Sequence, residues 1–264
     1  MAGSFTDYAE AKILDAVLGG ISLPQFTPYV GYFLTSPGET GPGSEPAGGG
    51  YNRVATASDI WLSSTVAQTQ NTQDIICPRA TANQGTVVAI GLFDSAVGGN
   101  CYVYYNATDT ELIEIRDSLV ILSGGLSHSW LAGGFSEYLK NLIFNHIYRG
   151  IPMPLFPTIY AGLNTSAPTD QVAGLEPAIG GYVRQPVANN ATNFPATSGG
   201  IKQNSAEIEF PIATADIGTI THFSFYNAAS GGQHLTYGTM NPSKAILIND
   251  QLKFLAGDIK LLLD

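Results

Sequence analysis

The chain has 264 residues, 44% of them hydrophobic and only 12% charged, with a net charge of −10. That length accommodates two ordinary domains with a core each, and the acidic balance argues against nucleic acid or an anionic membrane, which need basic patches. No stretch reaches the roughly 18 apolar residues of a membrane-spanning helix, and no secretory signal is visible, so folding in a cytoplasm is the expectation.

The first predicted element is a helix. Tyr8, Ile13, Leu14, Val17 and Leu18 fall near helical spacing. Thr6 is placed to cap it, Asp7 to complement its positive end, and Gly20 to stop it. Pro24 and Pro28 lead to a strand over 29–35. A loop rich in Gly, Pro and acids then ends in Glu45-Pro46-Ala47-Gly48-Gly49-Gly50-Tyr51-Asn52-Arg53. Two strands are expected next, one near Ile60-Trp61-Leu62 and one at Ile75-Ile76-Cys77. A strand over 87–94 follows, and Asp94 with Gly98-Gly99-Asn100 reads as a hairpin turn. The return strand covers 102–105, and two more cover 111–115 and 119–122, joined by Arg116-Asp117. Gly124 leads to a last short strand, and 124–134, with Ser127, His128 and Ser129, reads as a junction.

The same order then recurs. Phe135-Ser136-Glu137-Tyr138 answers Phe5-Thr6-Asp7-Tyr8, and Glu176-Pro177-Ala178-Ile179-Gly180-Gly181-Tyr182-Val183-Arg184 answers the element ending at Arg53. Gly218-Thr219-Ile220-Thr221 answers Gly85-Thr86-Val87-Val88. Ser136 and Gly150 bound the second helix, and strands follow over 158–164, 208–210, 220–227, 235–237, 244–248 and 252–255. One helix and seven or eight short strands per copy, with frequent turn signals, predict a mainly β protein. It is read as two tandem β-sandwich or jelly-roll-like modules, each preceded by an N-terminal α-helix, over residues 1–132 and 133–264.

The duplication filters candidate chemistry. Cys77 and Cys101 face Phe210 and His234 in the other copy, so a disulfide or metal pair is not part of the module. Buried free thiols are expected, with a cross-strand disulfide as the alternative. None of His128, His146, His222 and His234 pairs at metal-ligand spacing, and no nucleophile elbow, P-loop or zinc-protease motif occurs. No cofactor is expected. The recurring acids are Asp7/Glu137, Glu45/Glu176, Asp74/Glu207 and Asp117/Asp250. Of these, Glu45 and Glu176 stand out, because each precedes a Tyr and an Arg: Tyr51 and Arg53, Tyr182 and Arg184. These six residues are the candidate structural or interface set, with Glu–Arg pairing expected and ligand contact or catalysis as alternatives. Tyr102, Tyr104, Tyr105, Tyr148 and Tyr160 are either core or interface anchors. Three Asn-x-Thr/Ser triplets read as chance without a secretion signal.

The combination of these motifs resembles a virion protein family of tailed bacteriophages commonly labelled "phage tail fibre protein". The resemblance rests on Ser/Thr-acid-Tyr at the helix start, Tyr29-Val30-Gly31-Tyr32-Phe33 or Ile159-Tyr160-Ala161-Gly162-Leu163, and the Glu-Pro-Ala to Arg element. It rests also on 206–232 and on Ile248-Asn249-Asp250-Gln251-Leu252-Lys253-Phe254. The second copy follows the pattern closely, whereas the first departs from it at 78–84 and 123–125. The first copy is also more acidic, at net −8 against −2. The resemblance implies a non-enzymatic structural component of the virion, tail- or fibre-associated. A capsid decoration protein that cements the head shell is the alternative, and a protein binding or degrading host polysaccharide the remote one. The partners implied are other virion proteins, further copies of the chain in a homo-oligomer, and a host surface glycan, without nucleic acid or membrane.

Overall fold

Thr6 and Ser136 each place a short hydroxyl at a helix start, where backbone N–H groups lack partners. In the computed structural model, which describes residues 1–40, 43–131 and 133–263, Thr6 accepts from Ala9 N at 3.3 Å and Ser136 from Leu139 N at 3.2 Å. Helix α1 runs Asp7–Val17 and α2 runs Glu137–Arg149. Gly150 closes α2 in the left-handed conformation, at φ 62°. Helix α1 ends earlier than its sequence stop: Leu18 is the cap, and Gly20 serves another purpose. A Cβ there would sit 2.1 Å from the carbonyl oxygen of Asn189, so Gly20 permits a close approach between the two copies.

The first copy contributes β1 (Gly3–Phe5), β2 (Tyr29–Phe33), β3 (Val54–Ala55), β4 (Gln68–Gln70), β5 (Ile75–Ile76), β6 (Gly85–Phe93), β7 (Cys101–Ile113), β8 (Val120–Ile121) and β9 (Ser127–Ser129). An antiparallel sheet in the order β1-β7-β6-β2-β3 is joined by two ribbons, β4–β9 and β5–β8. The second copy contributes β10 (Thr158–Asn164), β11 (Gln185–Ala188), β12 (Ile201–Gln203), β13 (Ile208–Glu209), β14 (Gly218–Tyr226), β15 (His234–Ile246), β16 (Lys253–Phe254) and β17 (Lys260–Leu262). Its sheet is β15-β14-β10-β11 and its ribbons are β12–β17 and β13–β16, the same plan without a counterpart strand to β1. A single bridge from Phe135 to Thr236 stands where β1 pairs with β7. The fold is mainly β, in two repeated units, each with its helix near its start.

Three expectations are corrected. The strands expected over 102–105 and 111–115 are one long strand, β7, and their counterparts merge in β15. A register shift between Val87 and Ala89, repeated between Ile220 and His222, lets each hairpin bend without a turn. The strand expected near Ile60 is a 3-10 turn, Ser58–Ile60, and the pairing strand is the polar Gln68–Gln70, which carries no apolar alternation. The last short strand expected after Gly124 is β9, with His128 buried, so of the stretch read as a junction only 130–134 connects the copies. Ala132 within it lies outside the described residues.

Val30, Tyr32, Ile90, Leu92 and Val103 face inward from the first sheet, and their cluster continues through Ile143 and Phe144 of α2 into Leu163 and Phe225 of the second sheet. Hydrophobic burial is thus continuous across the two copies. Tyr102, Tyr104, Tyr105 and Tyr148 are buried, so the core takes these anchor candidates, while Tyr160 is half-buried. Cys77 and Cys101 are free thiols, and burial pushes both up to about 12.

Candidate functional site

Glu45, Tyr51 and Arg53 lie on the loop between β2 and β3, and the fold brings them together against β2. Arg53 donates from Nε to Glu45 Oε1 at 2.9 Å and from Nη2 to Glu45 Oε2 at 2.5 Å, a two-pronged pair. Its Nη1 donates to the carbonyls of Ser95 at 2.7 Å and Gly98 at 2.6 Å, in the β6–β7 turn. The guanidinium carbon lies over Phe93, 3.4 Å from the ring centroid. Tyr51 donates to Glu45 and accepts from Tyr32 N at 3.2 Å. The clamp fastens the loop after β2 to a turn formed about forty residues later.

Glu176, Tyr182 and Arg184 repeat this geometry. Arg184 pairs with Glu176 at 2.6 Å, donates to the carbonyls of Ala228 and Gly231 at 2.7 Å each, and lies 3.4 Å from the Tyr226 ring centroid. Tyr182 donates to Glu176 at 2.6 Å and accepts from Leu163 N at 2.9 Å. Burial opposes the charge on both arginines, yet the bonds from glutamate outweigh it and raise both above their ordinary value. Burial, reinforced by the glutamate bond, raises both tyrosines. Four of the five guanidinium N–H groups are engaged within the chain, leaving little of the fork for a ligand.

A second constellation joins the copies, and it is reciprocal. The end of α1 reaches the second copy: Asp15 Oδ1 accepts from Thr197 N and from Lys202 Nζ, each at 2.8 Å, and Gly19 N donates to Asn189 Oδ1 at 2.6 Å. The matching part of α2 reaches the first copy: Asn145 Oδ1 accepts from Ser64 N at 3.1 Å, and Asn141 Oδ1 from Ala67 N at 2.8 Å. Asn145 stands where Asp15 stands, and Ser64 where Thr197 stands. The contact is therefore close to two-fold symmetric within one chain, the same patch used twice. It also carries an asymmetry. Tyr105, Tyr148 and His128 form a buried chain of hydrogen bonds at 2.8 and 2.7 Å. Gly238, Leu18 and Leu261 occupy the corresponding positions in the other half. Burial holds His128 down at about 3.

A family model described as podophage GP4 fiber I protein gp80 matches residues 4–129 and again residues 134–262. The chain belongs to this family. Each match takes in one helix, one sheet and its two ribbons, so the family's unit is the repeated module, here present twice in tandem. A podophage fibre protein is a component of the virion, and the chain is one such component. No curated protein matches the chain at a significant level.

Several recurring acids at other positions find structural partners. Asp117 and Asp250 each accept from a backbone N–H, of Glu114 at 3.0 Å and Leu247 at 2.9 Å, in turns where Arg116 and Asn249 have positive φ. Asp74 accepts from Ser123 N at 2.8 Å. His146 accepts from Met153 N at 3.1 Å and lies 3.0 Å from the Pro24 carbonyl. Sequence reasoning missed Asp15, Lys202 and the two helix asparagines. None recurs as the same residue type in both copies, so the duplication does not mark them.

Proposed function

We propose that the chain is a non-enzymatic structural element of the phage tail fibre apparatus, acting as a stiff block of two modules, 1–132 and 133–264. The observation that carries this is the reciprocal helix exchange, with a core running unbroken between the copies. Such a contact resists hinge motion between halves, as a connector under tension requires. The clamps support the same reading: Glu45 and Glu176 spend their oxygens on their own Arg and Tyr, whereas glycoside hydrolysis uses two carboxylates facing each other across the bond. The role includes contacts with neighbouring virion proteins and self-association of the chain, and a host glycan is a further candidate partner. Part of the acid-rich loop 37–50, which would face a host, lies outside the described residues.

Cryo-electron microscopy of the virion with this chain labelled tests the reading. A dozen or fewer copies, confined to the tail, are expected. Hundreds of copies on the head, shed without loss of the tail, would replace it with the capsid-cement reading. Hydrolysis of host polysaccharide by the pure chain, abolished by Glu45→Gln or Glu176→Gln, would end the non-enzymatic assignment.

A further inference from the structure

Lys140 is wholly buried and pairs with Asp170 Oδ2 at 2.5 Å. The Tyr237 hydroxyl donates to Asp170 Oδ1. One carboxylate is thus held at both oxygens, yet a quarter of its side chain, 25%, stays exposed. The first half has no such pair: Glu10 stands where Lys140 stands, and Glu39 where Asp170 stands. The same helix and sheet therefore form without it. A buried ion pair returns little net stability, because removing both charges from water costs much of what their attraction gains. What the second half acquires is a carboxylate fixed in place and open on one side, the preorganisation a binding site needs.

That open side faces a pocket of about 530 Å³, a size common among small-ligand sites. Both copies and their connection build it. Val66 comes from the first copy, Trp130 and Leu131 from the connection, and Glu137, Gln171 and Tyr237 from the second, with Asp170. Trp130 is tied to the first copy, its N–H donating to the Ala67 carbonyl at 2.9 Å. The loop carrying Asp170 is also closed: Thr169 N donates to the Val172 carbonyl at 2.8 Å, and Val172 N to the Thr169 hydroxyl at 3.0 Å.

The polar groups left over in this pocket are acceptors. Each Asp170 oxygen takes one of these bonds and keeps capacity for another. Gln171 donates from Nε2 to Glu137 Oε2 at 3.0 Å. That leaves Glu137 Oε1 and the Gln171 side-chain carbonyl unbonded among the described residues. The ligand must therefore bring donors. Lys140 already balances the charge of Asp170, so the site does not call for a further cation there. Apolar surface stands beside the acceptors: Trp130 is half-buried, Val66 is 53% exposed and Leu131 70%. Hydroxyl donors on one side and a C–H face on the other describe a sugar ring. We propose that this pocket binds a neutral saccharide, its hydroxyls donating to Asp170, Glu137 and Gln171 and its C–H face against Trp130 and Leu131. An acidic sugar would set its own carboxylate against Asp170 and Glu137. The proposal rests on the host-glycan contact in the functional reading above and gives that contact a place on the chain.

The test is isothermal titration of the full chain with methyl glycosides of neutral hexoses, 6-deoxyhexoses and N-acetylhexosamines, beside galacturonate, glycerol and butylammonium. At least one neutral glycoside is expected to bind at roughly millimolar strength, with none of the three controls matching it. Gln171→Ala, at an exposed side chain, should weaken that binding about fivefold with an unchanged melting temperature. Asp170→Asn should weaken it about tenfold or more. Tyr237→Phe should weaken it too, whereas Tyr104→Phe, at the corresponding place in the first half, should leave it unchanged. No neutral glycoside bound, binding indifferent to both Gln171→Ala and Tyr237→Phe, or a control that binds as well as the best glycoside overturns the proposal. A chain found on the tail that binds no saccharide fails this proposal and leaves the structural reading standing. Saccharide binding by a chain found on the head does the reverse.

Discussion

Lys202 Nζ lies 2.8 Å from Asp15 Oδ1 across the boundary between the copies, with the lysine side chain fully buried and the aspartate 16% exposed. Where this ion pair stands on one side of the near-symmetric contact, the other side has Asn145 bonded to Ser64 and a buried Thr69 in the place of Lys202. One contact is thus built with a charged pair at one end and neutral groups at the other. Removing one partner of a buried pair strands the other. Asp15→Ala should lower unfolding stability by about 3–5 kcal/mol. The double change Asp15→Asn with Lys202→Thr copies the neutral end. It should be more stable than the sum of its single changes by at least about 1 kcal/mol, read from denaturant unfolding.

The same pair sets a pH dependence. Burial alone would raise Asp15, but the bonds from Lys202 and Thr197 outweigh it and hold the carboxyl below 3.8. In the window between its folded value and 3.8 the unfolded chain binds the proton more readily, so the pair's contribution is complete above that window and lost as pH falls through it. His128 acts earlier on the same descent. Held at about 3 by burial against 6.5 when exposed, it favours the unfolded, protonated chain as pH drops through that interval. His128→Leu, the residue type found at position 261, should flatten the stability curve between those values. Asp15→Asn should flatten it only below about 4. Unfolding midpoints at stepped pH separate the two.

Tyr148 sits between Tyr105 and His128, its hydroxyl at 2.8 Å from one and 2.7 Å from the other. All three are buried. Tyr148→Phe leaves two buried polar groups short of a partner and should cost about 1–3 kcal/mol. Tyr105→Phe removes an end of the chain instead of its middle and should cost less. Thermal unfolding of the two variants side by side decides the order.

How far the sequence discloses this protein depends on what each residue answers to. Thr6, Ser136 and Gly150 are legible because helix ends impose local needs that few residue types meet. Glu45 with Arg53 and Glu176 with Arg184 are legible because the same triad recurs at fixed spacing, so a shared geometry had to explain both. Strand Gln68–Gln70 is hidden because its residues alternate no apolar face. The merging of two expected strands into β7 is hidden because a bulge bends the chain where a turn would otherwise be needed. Lys202 is hidden for a different reason: a lone lysine reads as surface, and its burial depends on a helix nearly two hundred residues away. Tertiary partners decide such cases, and neither period nor propensity reports them.

Arg53 and Arg184 each bind both oxygens of a glutamate and two turn carbonyls with a planar fork, which an ammonium cannot reproduce. Arg53→Lys and Arg184→Lys should each cost about 2–3 kcal/mol, and the effects should add because the clamps share no partner. Beneath them, Gly31 and Gly162 leave the space the clamps occupy. A Cβ at Gly31 would lie 2.4 Å from the Tyr51 hydroxyl and 3.1 Å from Glu45 Oε1. At Gly162 it would lie 3.0 Å from Glu176 Oε1 and 3.1 Å from the Tyr182 hydroxyl. The first approach is closer than any real Cβ contact, while the second asks for a shift of a few tenths of an ångström from the same groups. Gly31→Ala should therefore destabilise by about 1–3 kcal/mol, and Gly162→Ala should also destabilise, because its Cβ meets the Tyr226 ring at 2.7 Å. Combining Gly31→Ala with Arg53→Lys should cost less than the sum, since both break one clamp, whereas Gly31→Ala with Arg184→Lys should add. A double-mutant cycle that finds the first pair additive would show that Gly31 is required for something other than the clamp.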